Sequence, residues 1–255
     1  MQLNYKQSGQ GQPLIIMHGL FGSLDNWSTL AKQLAIHHEV WLLDMPNHGR
    51  SPHTNEFNYP DMAAAVAEFI EQQNISDPVL LGHSMGGKVV MHMAFQDELA
   101  YKAAIVVDIA PKAYPVHHDN IIKALQAVPV NTLATRSEAE TVLRAHIDQQ
   151  DVILFLMKNL TRAEGGGYRW KMNLDLIARE IEQVGQAMPE GAVLDLPTCF
   201  IRGGDSDYIL DEDEADIARR FSNYQLHTVA RAGHWVHAQQ PAALLQIVQD
   251  FTATL

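Results

Sequence analysis

Cysteine is almost missing from this chain: Cys199 is the only one in 255 residues, which excludes a disulfide framework and a cysteine-rich metal centre. Its setting, Leu196-Pro197-Thr198-Cys199-Phe200-Ile201, reads as a central strand, so a buried and inert thiol is expected. Basic residues are scarce too. Lys and Arg number 18 against 30 Asp and Glu, a net charge of −12, and no block of roughly five or more like charges occurs. That balance argues against a nucleic-acid groove or an anionic membrane as partner and favours a small molecule. No apolar run reaches the ~18 residues of a membrane-spanning helix. The opening Met1-Gln2-Leu3-Asn4-Tyr5-Lys6 alternates like a strand and lacks the apolar heart of a signal peptide. A soluble, cytoplasmic protein is expected.

What is present is apolar residue in quantity, 47% of the chain, enough for one large core in a single domain carrying an insertion. Short apolar runs recur, each followed by turn residues and then a helical pattern: Leu14-Ile15-Ile16-Met17 before His18-Gly19, Val40-Trp41-Leu42-Leu43 before Asp44, and Val79-Leu80-Leu81 before Gly82. This alternation predicts an α/β fold with a mostly parallel central sheet flanked by helices. Met62, Val66, Phe69 and Ile70 share one face at helical spacing behind Pro60 and Asp61, residues suited to a helix's first turn. Further strands are read at Ala103 to Asp108, Thr198 to Gly203 and Gln225 to Val229, with a closing helix from Pro241 to Phe251. From about Pro111 to Pro189 the pattern is helical without intervening strands. Residues 111–189 are therefore expected to form a helical cap inserted in a core of 1–110 and 190–255. Within it, Glu164-Gly165-Gly166-Gly167-Tyr168 reads as a flexible loop and a candidate mobile gate, because glycine loses the most entropy on ordering.

The most informative motif is Gly82-His83-Ser84-Met85-Gly86-Gly87, lying between the Pro78-to-Leu81 strand and a helical run from Lys88. Gly-x-Ser-x-Gly at a strand-to-helix junction is a nucleophile elbow: the serine takes a strained backbone conformation, and glycine two positions either side lets the neighbouring chain pass. A serine hydroxyl is a weak nucleophile at neutral pH and needs a base, itself oriented by a carboxylate. Of 13 histidines, His234 in Ala232-Gly233-His234-Trp235 is the best base, because it follows the last predicted strand and parallel strands gather their carboxyl ends on one edge. His37, His38, His53, His117 and His118 are read as surface or capping residues, and His237 as a minor candidate.

Two loops on that edge offer the acid. Asp108 ends a strongly apolar strand before Ile109-Ala110-Pro111, which suits a half-buried carboxylate of fixed orientation. Asp205 stands with Asp207 in a Gly-rich acidic loop, where a solvated turn or helix cap is an adequate explanation. Negative charge building on a carbonyl oxygen calls for fixed N–H donors. Met85 N–H, opening the helix, is one, and Leu20 N–H in His18-Gly19-Leu20-Phe21-Gly22 is the expected second. Phe21, Tyr114, Phe155, Met157, Trp170 and Trp235 are candidates for an apolar acyl pocket, with packing inside the cap as the competing explanation.

Taken with Asp44-Met45-Pro46-Asn47-His48-Gly49-Arg50-Ser51, Val107-Asp108-Ile109-Ala110-Pro111 and Gly233-His234-Trp235-Val236-His237, these motifs resemble the α/β-hydrolase superfamily over nearly the whole chain, and within it the branch of YbfF-type bacterial esterases. The resemblance implies Asp108 as the acid, and hydrolysis of short to medium acyl esters or of thioesters such as acyl-CoA. Asp205 departs from the neutral residue common in that branch, and Asn47 from the arginine common in the superfamily's turn. The expected reaction is carboxylic ester hydrolysis through Ser84, His234 and Asp108 and an acyl-enzyme, with no metal or organic cofactor. An acyl-CoA thioesterase, a carbon-carbon bond hydrolase and a catalytically silent hydrolase-fold ligand receptor are the alternatives, since the same fold hosts all of them.

Overall fold

A computed structural model describes residues 1–191 and 193–255. The chain opens with β1 (Tyr5–Ser8), β2 (Gln12–Met17), α1 (Ser28–Leu34), β3 (His38–Leu43), α2 (Tyr59–Gln72), β4 (Val79–His83), α3 (Met85–Gln96) and β5 (Ala103–Val107). It continues through α4 (Asp119–Ala127), α5 (Arg136–Arg144), α6 (Gln150–Met157), β6 (Leu160–Arg162), β7 (Tyr168–Trp170) and α7 (Leu174–Arg179). It ends with β8 (Thr198–Gly203), α8 (Glu214–Arg220), β9 (Tyr224–Val229), α9 (Val236–Gln239) and α10 (Pro241–Thr252). Seven strands form one sheet in the order β1-β3-β2-β4-β5-β8-β9. Only β1 runs antiparallel to its neighbour.

Both faces of this sheet are covered, which is why its strands read as continuous apolar runs. Ile15, Met17, Leu80, Ala104, Val106 and Phe200 pack on the side of α2 and α3. Leu14, Ile16, Val79, Leu81, Ile105 and Cys199 face α1 and α10. Cys199 is fully buried, and burial pushes its thiol up to about 12. The α2 helix starts as its sequence indicates: the Asn58 side chain accepts from Asp61 N–H at 2.9 Å, with Pro60 in the first turn. Among the described residues no helix is long and apolar enough to cross a membrane.

The strand order creates the site. From β2 the chain crosses to β3 on one side and then, through α2, to β4 on the other. Loops leaving β2 and β4 therefore diverge, and the crevice at such a switch point is where open α/β sheets bind ligands.

Residues 111–189 leave the sheet after β5 and return before β8. They are not wholly helical, as the sequence pattern suggested: β6 and β7 form a two-stranded antiparallel hairpin. Three-residue strands are too short to show a period of two, so the glycine loop between them is not recognisable as a hairpin turn. The Gly165-Gly166-Gly167 segment is that turn, with positive φ at all three residues, and a β-carbon on Gly167 would lie 2.6 Å from Asn131 O. It lines neither cavity at the sheet's edge, so the hairpin turn is not placed to gate them.

Two pocket candidates are corrected here. Met157 and Trp170 are buried among the helices of the insertion and line neither cavity; the Trp170 indole N–H donates to Leu125 O at 3.3 Å. Met157 ends α6 and Trp170 ends β7; local pattern places a large side chain on an inner face, but what that face meets is decided in three dimensions. Replacing Gly167 by alanine is expected to cost about 1 kcal/mol or more, from the positive φ and the close carbonyl, read as a lowered midpoint in urea unfolding.

Candidate active site

Between the end of β4 and the start of α3 there is one residue, Ser84, and its backbone sits at φ 53°, ψ −115°. That conformation strains any residue with a β-carbon. Three features hold it. Ser84 N–H donates to Val107 O on the neighbouring strand at 2.9 Å, and Ser84 O accepts the first helical bond from Lys88 N–H at 3.0 Å. The third is close packing: a β-carbon on Gly82 would lie 2.1 Å from Gly86 O, and one on Gly86 would lie 2.4 Å from Met17 O. Both contacts are far inside van der Waals range, so glycine is required at each position.

The Ser84 hydroxyl meets an imidazole. His234 Nε2 lies 2.9 Å from Ser84 Oγ, and His234 Nδ1 lies 2.8 Å from Asp108 Oδ2. Donation from Nδ1 to the carboxylate leaves Nε2 free to accept the serine proton. His234 is further held by its carbonyl, which accepts from His83 Nε2 at 2.8 Å, and by the Tyr208 ring, stacked on it at 3.7 Å between centroids. Asp108 is fully buried in a left-handed conformation (φ 54°) with N–H donating to Ile201 O. Among the described residues no Lys or Arg pairs with its carboxylate. Gly203 N–H donates to Oδ1 at 2.9 Å, and the Ser206 hydroxyl donates to Oδ2 beside the imidazole. Asp205, the alternative acid, is exposed and does not reach His234; its backbone N–H ties the loop to Ala232 O at 2.8 Å.

The Gly19-to-Gly22 loop faces Ser84 across the switch point. A β-carbon on Gly19 would lie 2.9 Å from His83 Nδ1. Among the described residues neither Leu20 N–H nor Met85 N–H donates to a protein acceptor, leaving both free beside the hydroxyl, as oxyanion donors must be. The loop itself is braced. Phe21, at φ 57°, donates its N–H to His48 Nε2 at 3.3 Å and accepts from Asn159 Nδ2 at 2.6 Å. His18 donates from Nδ1 to Gly19 O and accepts from Met45 N–H on Nε2. The Asn47 turn, whose role the sequence left open, bonds Asn173 twice and so fastens the insertion to the core.

Two cavities open at Ser84. One of about 270 Å³ is lined by Phe21, Phe155, Trp235 and His234; the other, of about 590 Å³, by Tyr59, Met85, Ile109, Tyr114 and Val184. Leu20 and Ser84 border both. Four of the six pocket candidates therefore lie on cavity walls. His117 and His118, read as ordinary surface or capping residues, border both cavities, and His38 is buried. Their one-letter setting, between a proline-rich turn and an amphipathic helix, carries no sign of this. Ser206, which reaches Asp108 from a loop 98 positions away, was also missed, because nothing in its local sequence sets it apart from a turn serine.

Residues 14–247 match the alpha/beta hydrolase family, and the chain belongs to it. Esterase YbfF of Escherichia coli (strain K12) is 35% identical over 98% of this chain and 99% of its own length. The sn-1-specific diacylglycerol lipase ABHD11 of Mus musculus is 32% identical over 94% of this chain and 80% of its own. A solved structure titled a marine microorganism esterase superposes with a TM-score of 0.96 at 40% identity, covering 98% of this chain and 99% of that one.

Burial disfavours the charged form of several imidazoles. Burial pushes His48 and His237 down to about 3 and His92 to about 4, and holds His18 and His83 below the usual 6.5. The unfolded chain therefore takes up protons first as pH falls, and each ring subtracts up to ~1.4 kcal/mol per pH unit below about 6.5. Protonating His48 or His18 would also turn its accepting Nε2 into a donor facing a backbone N–H. Thermal unfolding is expected at a steady temperature above pH 7 and at a steeply falling one between pH 6 and 4; an unchanged midpoint at pH 5 would contradict this. Gly86→Ala is expected to destabilise by about 1–3 kcal/mol in denaturant titration.

Proposed function

We propose that this chain is a serine hydrolase acting on carboxylic esters, with Ser84 as nucleophile, His234 as base and then acid, and Asp108 as the orienting carboxylate. The observation that carries this reading is the unbroken relay from a strained Ser84 Oγ through His234 to Asp108, at 2.9 and 2.8 Å, beside two unengaged N–H groups. As Ser84 Oγ attacks the acyl carbon, its proton passes to His234 Nε2. The carbonyl oxygen becomes an oxyanion between Leu20 N–H and Met85 N–H. Collapse breaks the ester bond, and the leaving alkoxide takes the proton from His234. Water, activated by the same imidazole, then attacks the acyl-enzyme and frees the acid and Ser84.

Asp108 supports this scheme without being protonated. Its three donors keep the charge in place, and its position holds the imidazole in the tautomer that leaves Nε2 an acceptor. The esterase and lipase relatives favour ester substrates, and the apolar cavity walls favour an acyl chain over a polar group.

Hydrolysis of p-nitrophenyl acetate and butyrate is expected from the wild type and not from Ser84→Ala. A wild type no faster than that variant would leave a ligand receptor as the better reading. Asp108→Asn is expected to lower kcat by about 10² to 10⁴, and Asp205→Asn to leave it nearly unchanged; the reverse ranking would reassign the acid. Butyryl ester and butyryl thioester compared at one acyl length will separate esterase from thioesterase.

A further inference from the structure

Lys88 lies one helical turn beyond Ser84 on α3 and is completely buried. Among the described residues no carboxylate pairs with it. Its ammonium instead donates to three backbone carbonyls: Pro111 O at 3.1 Å, Lys112 O at 2.6 Å and Gln186 O at 3.0 Å. The first two belong to the segment that enters the insertion and the third to the segment that leaves it. Those segments also bond each other, Tyr114 N–H to Gly185 O and Met188 N–H to Pro111 O, both at 2.8 Å. Between them they build one wall of the larger cavity, through Tyr114, Val184 and Gly185.

A buried cation without a counter-charge is costly, and an apolar residue of the same size commonly serves stability as well or better. Burial pushes Lys88 down to about 7, in keeping with that cost. A residue that stability does not favour calls for another role. Here one side chain, with three diverging donors, locks both connections of the insertion to the helix that carries Ser84.

The larger cavity's occupant follows from the reaction proposed above. The leaving oxygen must come within reach of His234, and His234 lines the smaller cavity and not the larger. The leaving alcohol therefore points into the smaller space and the acyl chain into the larger. Resting on that esterase reading, we infer that Lys88 is a positioning residue for acyl binding: by tying the entry and exit segments of residues 111–189 to α3, it sets the width of the cavity that holds the acyl chain.

Lys88→Met removes the donors and keeps the volume. It is expected to raise KM for p-nitrophenyl octanoate about 10-fold with kcat little changed, while KM for the acetate, which does not reach that wall, moves less than about 2-fold. Tyr59→Phe, which deletes the hydroxyl donating to Val184 O at 2.7 Å on the same exit segment, is expected to act in the same direction more weakly, and it serves if Lys88→Met fails to fold. Equal losses for acetate and octanoate, or a loss confined to kcat, would overturn the inference. Calorimetric binding of octanoate needs no turnover: its Kd should rise about 10-fold in Lys88→Met, and an unchanged Kd would overturn the role of Lys88. A wild type no more active than Ser84→Ala would sink the esterase reading separately, with the octanoate experiment still deciding on Lys88.

Discussion

Ser84 occupies a backbone conformation that it would not adopt in a free peptide, and the structure around it exists in a form that enforces this. The chain leaves β4, reverses through one residue and enters α3. It can do so only because Gly82 and Gly86 let backbone pass within a distance no β-carbon tolerates. The same turn sets Ser84 on the border of both cavities and Met85 on the wall of the larger one. Strain at this point is sustained by the fully buried parallel strands on either side, whose packing far outweighs the ~1–3 kcal/mol a single strained residue costs.

Around that turn, Asp108 is the second organising element. Its carboxylate is fully buried and gathers donors from three segments: Gly203 at the end of β8, Ser206 in the loop beyond, and His234 after β9. Three neutral donors together satisfy an anion that burial alone would make expensive. The arrangement also explains the loop geometry, since Gly203 and Asp205 both bond across to partners that hold the His234 loop at the correct height. His234 is thereby fixed on its Nδ1 edge, on its carbonyl and on one ring face.

The insertion is joined to this core by an apolar cluster that runs through both and by a set of hydrogen bonds. Lys88 and Tyr59 hold its two connections, Asn47 holds Asn173, and Phe21 O holds Asn159. Of these contacts, those at Phe21, Tyr59 and Lys112 involve residues that line the two cavities, so the shape of the substrate space depends in part on where polar side chains reach from the core. Buried neutral histidines take part in the same way. His18 and His48 each offer one acceptor and one donor to loop backbone, which only the uncharged ring can do.

The sequence by itself determined the α/β class, the strand-turn-helix at Ser84 and the position of His234 after the last strand, because each is written in local pattern: buried runs of four to six apolar residues, glycines at fixed offsets, a histidine behind a glycine. It also marked Asp108 as a strand-end carboxylate, yet left Asp205 beside it as an alternative, since both follow strands on one edge. Only the tertiary structure decided between their positions, by packing β8 against β5 so that Gly203 and Ser206 close over Asp108 while Asp205 turns to solvent. The hairpin at residues 160–170, the inward burial of Met157 and Trp170, the cavity-lining His117 and His118, and the Lys88 cradle were likewise decided in space. Each depends on a partner far along the chain, and a local pattern records which face of an element is apolar but not what that face will meet.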